Sequence, residues 1–434
     1  KGIGVAVVTY GAGALNLLNA AACAWAEHSP LVVISGAPGR EEFNQNLLLH
    51  HQIKDAGSQL RIFQEVTCAT TVLNDPVSAP HEIARVLDAC VEHSRPVYIE
   101  LPRDVVCAPC LPIERNVVLK EKENETAEAV KIIQERIAAS RRPAILADVE
   151  IRRFDLEEIL LTFARETGIP LVTTLMGKGM FAGDSACLGT YMGQAGDAEI
   201  AKLVEESDCL LMLGVIASDT NLGAAARRID LKNALRLHEG GAIIGERHFA
   251  NVRLSDALTL LGGKLPEHAT PLKRPPNEEK TFLPEKPLSA DDIAGAVNAQ
   301  LAQSPSFMSI PIAVDVGDCL FIGTRICNVP LLASAYYVTM GFGVPAGMGV
   351  QAATGERALV ITGDGGFQMT GWELLNCARN RLDPIVIVLN NRGWGMLEQF
   401  SLNAGYTAFG DISYTKIAEA LGGDAYTATS CGEL

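Results

Sequence analysis

Two short motifs hold the densest chemistry in this 434-residue chain. Gly363-Asp364-Gly365 ends an apolar run that starts at Ala358. Asn390-Asn391-Arg392-Gly393 ends a second run from Pro384, with twenty-four residues between the motifs. The first motif offers a carboxylate and glycine N–H groups; the second offers a side-chain amide at Asn391 and a carbonyl at Gly393. Hard oxygen donors of this kind suit an octahedral Mg²⁺ that shares its shell with phosphate oxygens. Between the motifs, Trp372 to Arg379 has the apolar spacing of a helix, so the segment reads strand, Gly-rich turn, helix, strand, turn. In such a unit both turns fall at one edge of a parallel sheet, where ligands bind.

His50-His51 is the second constellation, the adjacent pair among eight histidines, set in a polar stretch (37–65) that reads as irregular. No further ligands stand nearby at metal-site spacing, and two imidazoles titrating near neutrality suit proton transfer. Cys107 and Cys110 form a single CxxC without a second pair at zinc spacing, and read as structural. Gly214 to Gly223 is bounded by glycines but lacks the GxGxxG spacing of a dinucleotide site.

The elements that must position these groups alternate along the whole chain. Residues 1–111 hold apolar strands from Gly4 to Thr9, Leu31 to Ser35 and Pro96 to Leu101, with helices at about 14–27 and 79–93. Runs this apolar, separated by helices, predict buried strands in a parallel sheet covered on both faces. A charged linker (112–125) leads to a second region, 126–265, with strands near 144–149, 170–174 and 209–215. A Pro-rich linker (266–288) leads to a third, 289–434, which contains both motifs. The fold class is therefore α/β, with three consecutive parallel-sheet domains. The chain opens on Lys1 inside a strand pattern and stops just after Ser430 and Glu433, spaced like a helix-opening capping box; it reads as truncated at both ends.

Composition excludes several classes. A formal net charge of -15 without a Lys/Arg block argues against nucleic acid as a partner. Apolar runs are strand-length, which argues against a membrane span. Eleven cysteines scattered through predicted elements suit reduced thiols in the cytoplasm.

The Gly-Asp-Gly motif followed at this distance by Asn-Asn resembles the thiamin diphosphate signature, and the resemblance extends over the chain in the order pyrimidine-binding, middle (Rossmann-like) and diphosphate-binding domain of the 2-oxo acid decarboxylases. It implies that Asp364, Asn391 and the Gly393 carbonyl hold Mg²⁺, with the Gly365 and Gly366 N–H groups facing the diphosphate. Asp318-Cys319 falls where the family places a polar pair against the diphosphate; a helix N-cap explains it as well, and both can hold. Met340 falls at the apolar wedge under the cofactor. His50-His51 resembles the pair that handles protons in pyruvate- and indolepyruvate-type enzymes. Thr9 faces the bound substrate or is simply a buried strand end. A further Glu, which contacts the aminopyrimidine, falls upstream of Lys1.

Many family members carry Glu six residues after the metal Asn, where this chain has Leu397. Leu397, with Trp394, implies a drier and larger pocket, and together with the His pair it resembles the phenylpyruvate and indolepyruvate decarboxylases. Glu398 is no simple substitute, since one helical residue is about 100° of rotation. The expected activity is non-oxidative decarboxylation of a small-molecule 2-oxo acid, of the aromatic type, to an aldehyde. The expected assembly is a homodimer or homotetramer with its active site at the subunit interface. Alternatives are an acetolactate synthase-like carboligase, which the lack of an FAD signal disfavours, and a non-catalytic cofactor-binding protein.

Overall fold

The computed structural model describes residues 2–42, 48–110, 112, 125–223, 228–262, 285–303, 310–327, 330–398, 400 and 405–434. Most of both expected linkers, 113–124 and 266–284, and Leu47 before the His pair lie outside the described residues. Three sheets follow one another along the chain.

The first sheet is built from β1 (Gly4–Val8), β2 (Leu31–Ala37), β3 (Ala69–Val72) and β4 (Pro96–Pro102), with α1 (Ala12–Ala26), α2 (Ser58–Gln64) and α3 (Ala79–His93). Its strands run parallel in the order β1-β2-β4-β3. Pro at the start of α3 and a left-handed Ser94 at its end account for its legible bounds. Two expectations fail here. β1 is not buried: among the described residues it pairs with β2 alone, at the edge of the sheet, and Val7 is 73% exposed. The stretch 37–65 is not wholly irregular, since α2 occupies its end and buries Phe63 against Tyr98 with stacked rings 4.4 Å apart.

The second sheet contains β5 (Pro143–Ala147), β6 (Leu171–Thr173), β7 (Cys187–Thr190), β8 (Cys209–Leu213), β9 (Leu235–His238), β10 (Gly241–Ile244) and β11 (Arg247–Ala250). Around it lie α4 (Thr126–Ala139), α5 (Val149–Arg153), α6 (Glu157–Thr167), α7 (Ala198–Glu205) and α8 (Leu254–Leu261). Its order is β11-β10-β9-β8-β5-β6-β7. The pairs from β9 through β7 are parallel, while β10 and β11 add an antiparallel edge. Asp148, fully buried just beyond β5, accepts from Asn221 Nδ2 (2.6 Å) and Ile216 N (2.9 Å), and burial pushes its carboxyl up to about 6.

The third sheet has β12 (Ile312–Val314), β13 (Leu331–Ala333), β14 (Leu359–Gly363) and β15 (Ile385–Leu389), all parallel in the order β13-β12-β14-β15. Its helices are α9 (Ala290–Gln303), α10 (Asp318–Arg325), α11 (Gly343–Thr354), α12 (Asp364–Thr370), α13 (Leu375–Asn380), α14 (Gly395–Glu398) and α15 (Tyr414–Ala420). One face packs Ile312, Val314, Ile322 and Ile361; the other packs Ala313, Val344, Val360 and Phe367. That alternation is why each strand is apolar throughout.

The end of α1 ties the first unit to the other two. Glu27 Oε1 accepts from Ser334 Oγ (3.1 Å) and from the N–H groups of Tyr336 and Tyr337 (3.0 Å each) in the third unit. His28 Nδ1 lies 2.6 Å from Glu150 Oε1 in the second.

Candidate active site

Register explains why the two motifs meet. β14 pairs with β15 so that Gly363 stands opposite Leu389, and the two motifs therefore leave adjacent parallel strands side by side. The Gly-rich turn is also the start of a helix. Gly363 is extended, and Asp364 is the first residue of α12, which places the Gly365 and Gly366 N–H groups in its unpaired first turn. The Asp364 side chain is 2% exposed. Its Oδ1 accepts from Gly365 N (2.8 Å) and its Oδ2 from Gly393 N (3.1 Å), so the carboxylate spans both turns. Burial pushes this carboxyl up, and the backbone donors oppose that shift.

The second turn is held from outside. Gly393 and Ala408 form an antiparallel bridge, and Trp394 N donates to Thr407 O (2.8 Å). Asn391 Oδ1 accepts from Gly393 N (3.2 Å), which brings Asn391, Gly393 and Asp364 to one place. A side chain at Gly365 would overlap the Trp394 indole, and a Cβ at Gly366 would stand 2.7 Å from Asp315 Oδ2. Only glycine fits at these two positions, because the indole and the Asp315 carboxylate pack directly on the backbone. The Asp364 carboxylate and the Asn391 amide oxygen thus meet at the Gly393 N–H, and oxygen donors of these types suit a hard divalent cation whose remaining ligands come from phosphate and water; the Gly393 carbonyl accepts from Gly395 N (3.0 Å).

Asp315, absent from the residues chosen by sequence, organises this edge. Buried just beyond β12, it accepts from Val316 N (2.9 Å) and Gly341 N (3.0 Å) through Oδ1, and from Gly343 N (3.2 Å) and Thr362 Oγ1 (3.1 Å) through Oδ2. Its signal was an acid directly after an apolar run, the same pattern that marks Asp364. It fixes Gly341, whose φ of 81° needs glycine, and so presents Met340, which is 40% exposed. Asp318 is exposed as the first residue of α10, with Gly317 rather than Asp318 in the cap position. Cys319 turns its thiol into the core beside Ile322, where burial raises its pKa. The pair therefore does not aim two side chains at one point.

Trp394 lies half-buried against Phe409, ring centroids 4.8 Å apart. Leu397, in the four-residue α14, is 48% exposed. Glu398 Oε1 comes 3.4 Å from where a Cβ on Gly393 would sit, so its carboxylate folds back toward the second turn.

The His pair stands at the C-terminal edge of the first sheet. His50 Nε2 is 3.0 Å from Tyr10 Oη, and the two imidazoles are 5.0 Å apart between centroids. Both histidines are exposed, and His51 has a φ of 63°. Thr9, just past β1, is exposed, which corrects the buried strand-end reading; its Cγ2 covers the backbone at Gly13. Among the described residues no hydrogen bond, ion pair or ring contact joins the His pair to the Asp364 turn within one chain.

Family models match along the chain in the same order as the sheets. The N-terminal TPP binding domain of thiamine pyrophosphate enzymes matches residues 1–61, the central domain 130–278 and the C-terminal TPP binding domain 315–434. The chain belongs to the thiamine pyrophosphate enzymes. Within that family it is 43% identical to an indole-3-pyruvate decarboxylase of Azospirillum brasilense, covering 100% of this chain and 80% of that protein. It is 27% identical to pyruvate decarboxylase 4 of Arabidopsis thaliana (97% of this chain, 72% of that one). It is 28% identical to an alpha-keto-acid decarboxylase of Mycobacterium leprae (100% and 78%).

Proposed function

We propose that this thiamine pyrophosphate enzyme, a 2-oxo acid decarboxylase, acts on aromatic 2-oxo acids, phenylpyruvate or indole-3-pyruvate, and uses Mg²⁺ to hold the cofactor's diphosphate. The observation that carries the substrate class is the 43% identity with an indole-3-pyruvate decarboxylase, against 27% and 28% with pyruvate decarboxylases. Leu397, an apolar residue beside Trp394, agrees with it.

Thiamin diphosphate, when bound, supplies the carbanion and the electron sink for loss of CO₂. The chain supplies position and protons. Asp364, Asn391 and the Gly393 carbonyl hold the cation. The Gly365 and Gly366 N–H groups, with Asp318 and the Cys319 backbone, face the diphosphate. Met340 would support the bound cofactor. His50 and His51 give or take protons at the reacting carbon, and Thr9, Trp394 and Leu397 shape the space around the substrate. We divide the chain into domains at 1–111, 126–265 and 289–434.

We further propose a homodimer or homotetramer in which the first sheet of one subunit covers the third sheet of another. Two observations support this. Among the described residues no hydrogen bond, ion pair or ring contact joins the His pair to the Asp364 turn of its own chain, and the edge bearing that turn leaves Met340, Met369, Met396 and Leu397 exposed. Exposed apolar clusters of this kind are covered by a ligand or partner. No described helix is long and apolar enough to cross a membrane. Eleven cysteines free of disulfides fit a cytoplasmic enzyme.

The test is CO₂ release from a panel of 2-oxo acids with thiamin diphosphate and Mg²⁺. Phenylpyruvate and indole-3-pyruvate should give aldehyde with the highest kcat/KM. A clear preference for pyruvate, or acetolactate as product, overturns the assignment.

A further inference from the structure

We propose that Gln59 is a positioning residue for the His50-His51 pair, acting through a buried hydrogen-bond chain of fixed polarity that ends on Glu100. The proposal rests on the reading of that pair as proton-handling groups.

Gln59 is the second residue of α2 and is buried, as are Ser35 on β2 and Tyr98 and Glu100 on β4. Gln59 Oε1 accepts from Gly11 N at 2.5 Å. A backbone N–H can only donate, so the orientation of the amide is determined by its partner. Both hydrogens of Nε2 are then committed, to Ser35 Oγ (2.9 Å) and Tyr98 Oη (2.5 Å). Ser35 passes its own hydrogen to Gly36 O (2.9 Å), and Tyr98 passes its own to Glu100 Oε2 (2.8 Å). Every polar atom of Gln59 is used, and every hydrogen in the chain points one way. In a buried setting, a chain with no alternative arrangement is stiff, because breaking one link leaves a desolvated group without a partner.

The end of this chain bears on the His pair by direct contact. Gly11 has a φ of 61°, and a Cβ there would overlap the carbonyl oxygen of His51. The His51 backbone is thus seated on the Gly11 peptide that Gln59 clamps. Tyr10, the preceding residue, places its hydroxyl 3.0 Å from His50 Nε2. Gln59 therefore locates both imidazoles, one through each neighbour in the Tyr10-Gly11 turn. The groups facing the pair are Tyr10 from this turn, Asp55 from the loop before α2, and Glu100 from β4; these line one cavity with His51 and Gln59. Asp55 is engaged by Arg61 at 2.8 Å, and burial raises the pKa of Glu100.

The test uses the full-length protein with thiamin diphosphate and Mg²⁺. Gln59→Leu keeps the bulk and removes the clamp. Tyr98→Phe keeps the clamp on Gly11 and cuts the link to Glu100. Glu100→Gln removes charge and keeps an acceptor for Tyr98. The first readout is the titration of the His50 and His51 ring protons by NMR, which needs no turnover. The second is the pH profile of kcat. Gln59→Leu should move the apparent pKa of the pair by roughly half a unit or more, and lower kcat about ten- to hundredfold with KM changed less. Tyr98→Phe should move the titration in the same direction by a smaller amount, and it carries the test if Gln59→Leu does not fold. Folded variants with the parent titration and pH profile overturn the proposal. A Glu100→Gln shift as large as that of Gln59→Leu also overturns it, since the effect would then belong to charge rather than position. If the parent protein releases no CO₂ from any 2-oxo acid, the functional reading fails, while the ring-proton titration still decides the role of Gln59.

Discussion

Leu397 stands six residues beyond Asn391 and is half-exposed at the edge that bears the metal-type turn. An apolar side chain there favours an apolar substrate, because a charged group would have to be desolvated when an aromatic ring is bound beside it. Leu397→Glu should therefore lower kcat/KM for phenylpyruvate relative to pyruvate by about tenfold or more, a penalty in the range of a misplaced polar contact. Equal loss on both substrates would remove Leu397 from the pocket. At this scale the sequence was legible wherever a residue announced its own backbone role. Asp364 and Asn391 follow strand-like runs and sit among glycines, and the structure brings them together. Asp315 carries the local pattern of an acid after an apolar run, but its role, like that of Gln59, was not legible, because the partners lie 26 and 48 positions away, at Gly341 and Gly11. Glu398 follows Leu397 in the four-residue α14, and its Oε1 comes 3.4 Å from where a Cβ on Gly393 would sit.

Elements with a strong period were read close to their observed bounds, α3 above all, while short ones were lost. α2 spans seven residues and β3 four, too few for a period to emerge from a polar stretch. The antiparallel edge of β10 and β11 was missed because each strand is four residues long. The joint at the end of α1 could not be foreseen, since it depends on how the units pack. There Glu27 Oε1 satisfies three donors, two of them backbone N–H groups of Tyr336 and Tyr337. Glu27→Ala should destabilise the protein by about 1–3 kcal/mol by leaving these donors without a partner, with Glu27→Gln milder because it keeps an acceptor. Burial raises the folded-state pKa of Glu27 above its ordinary value. Its contribution is then fully present below the ordinary carboxylate range and is lost as pH rises through the raised value. Glu27→Gln should flatten that part of the stability profile, measured by denaturant unfolding across pH. An identical slope in parent and variant would show that Glu27 does not titrate there.

For the whole molecule, three α/β units in sequence match the fold class read from alternating apolar runs and helical patterns. β1 departs from the buried strand expected of it, with Val7 73% exposed, and Met340 and Leu397 are 40% and 48% exposed. If the site is shared between subunits, specific activity should fall on dilution in step with loss of the dimer, followed by light scattering on the same samples. A monomer that turns over at full rate would refute the shared site. The central claim is that adjacent turns of the third sheet hold thiamin diphosphate through a divalent cation. The direct measurement is calorimetric titration of thiamin diphosphate into metal-stripped protein, with and without Mg²⁺, for the parent and for Asp364→Ala. Binding should require Mg²⁺ in the parent. The substitution should weaken it by more than the roughly 10–100-fold typical of losing an outer-shell partner. Unchanged affinity in Asp364→Ala, or binding indifferent to Mg²⁺ in the parent, would contradict the claim.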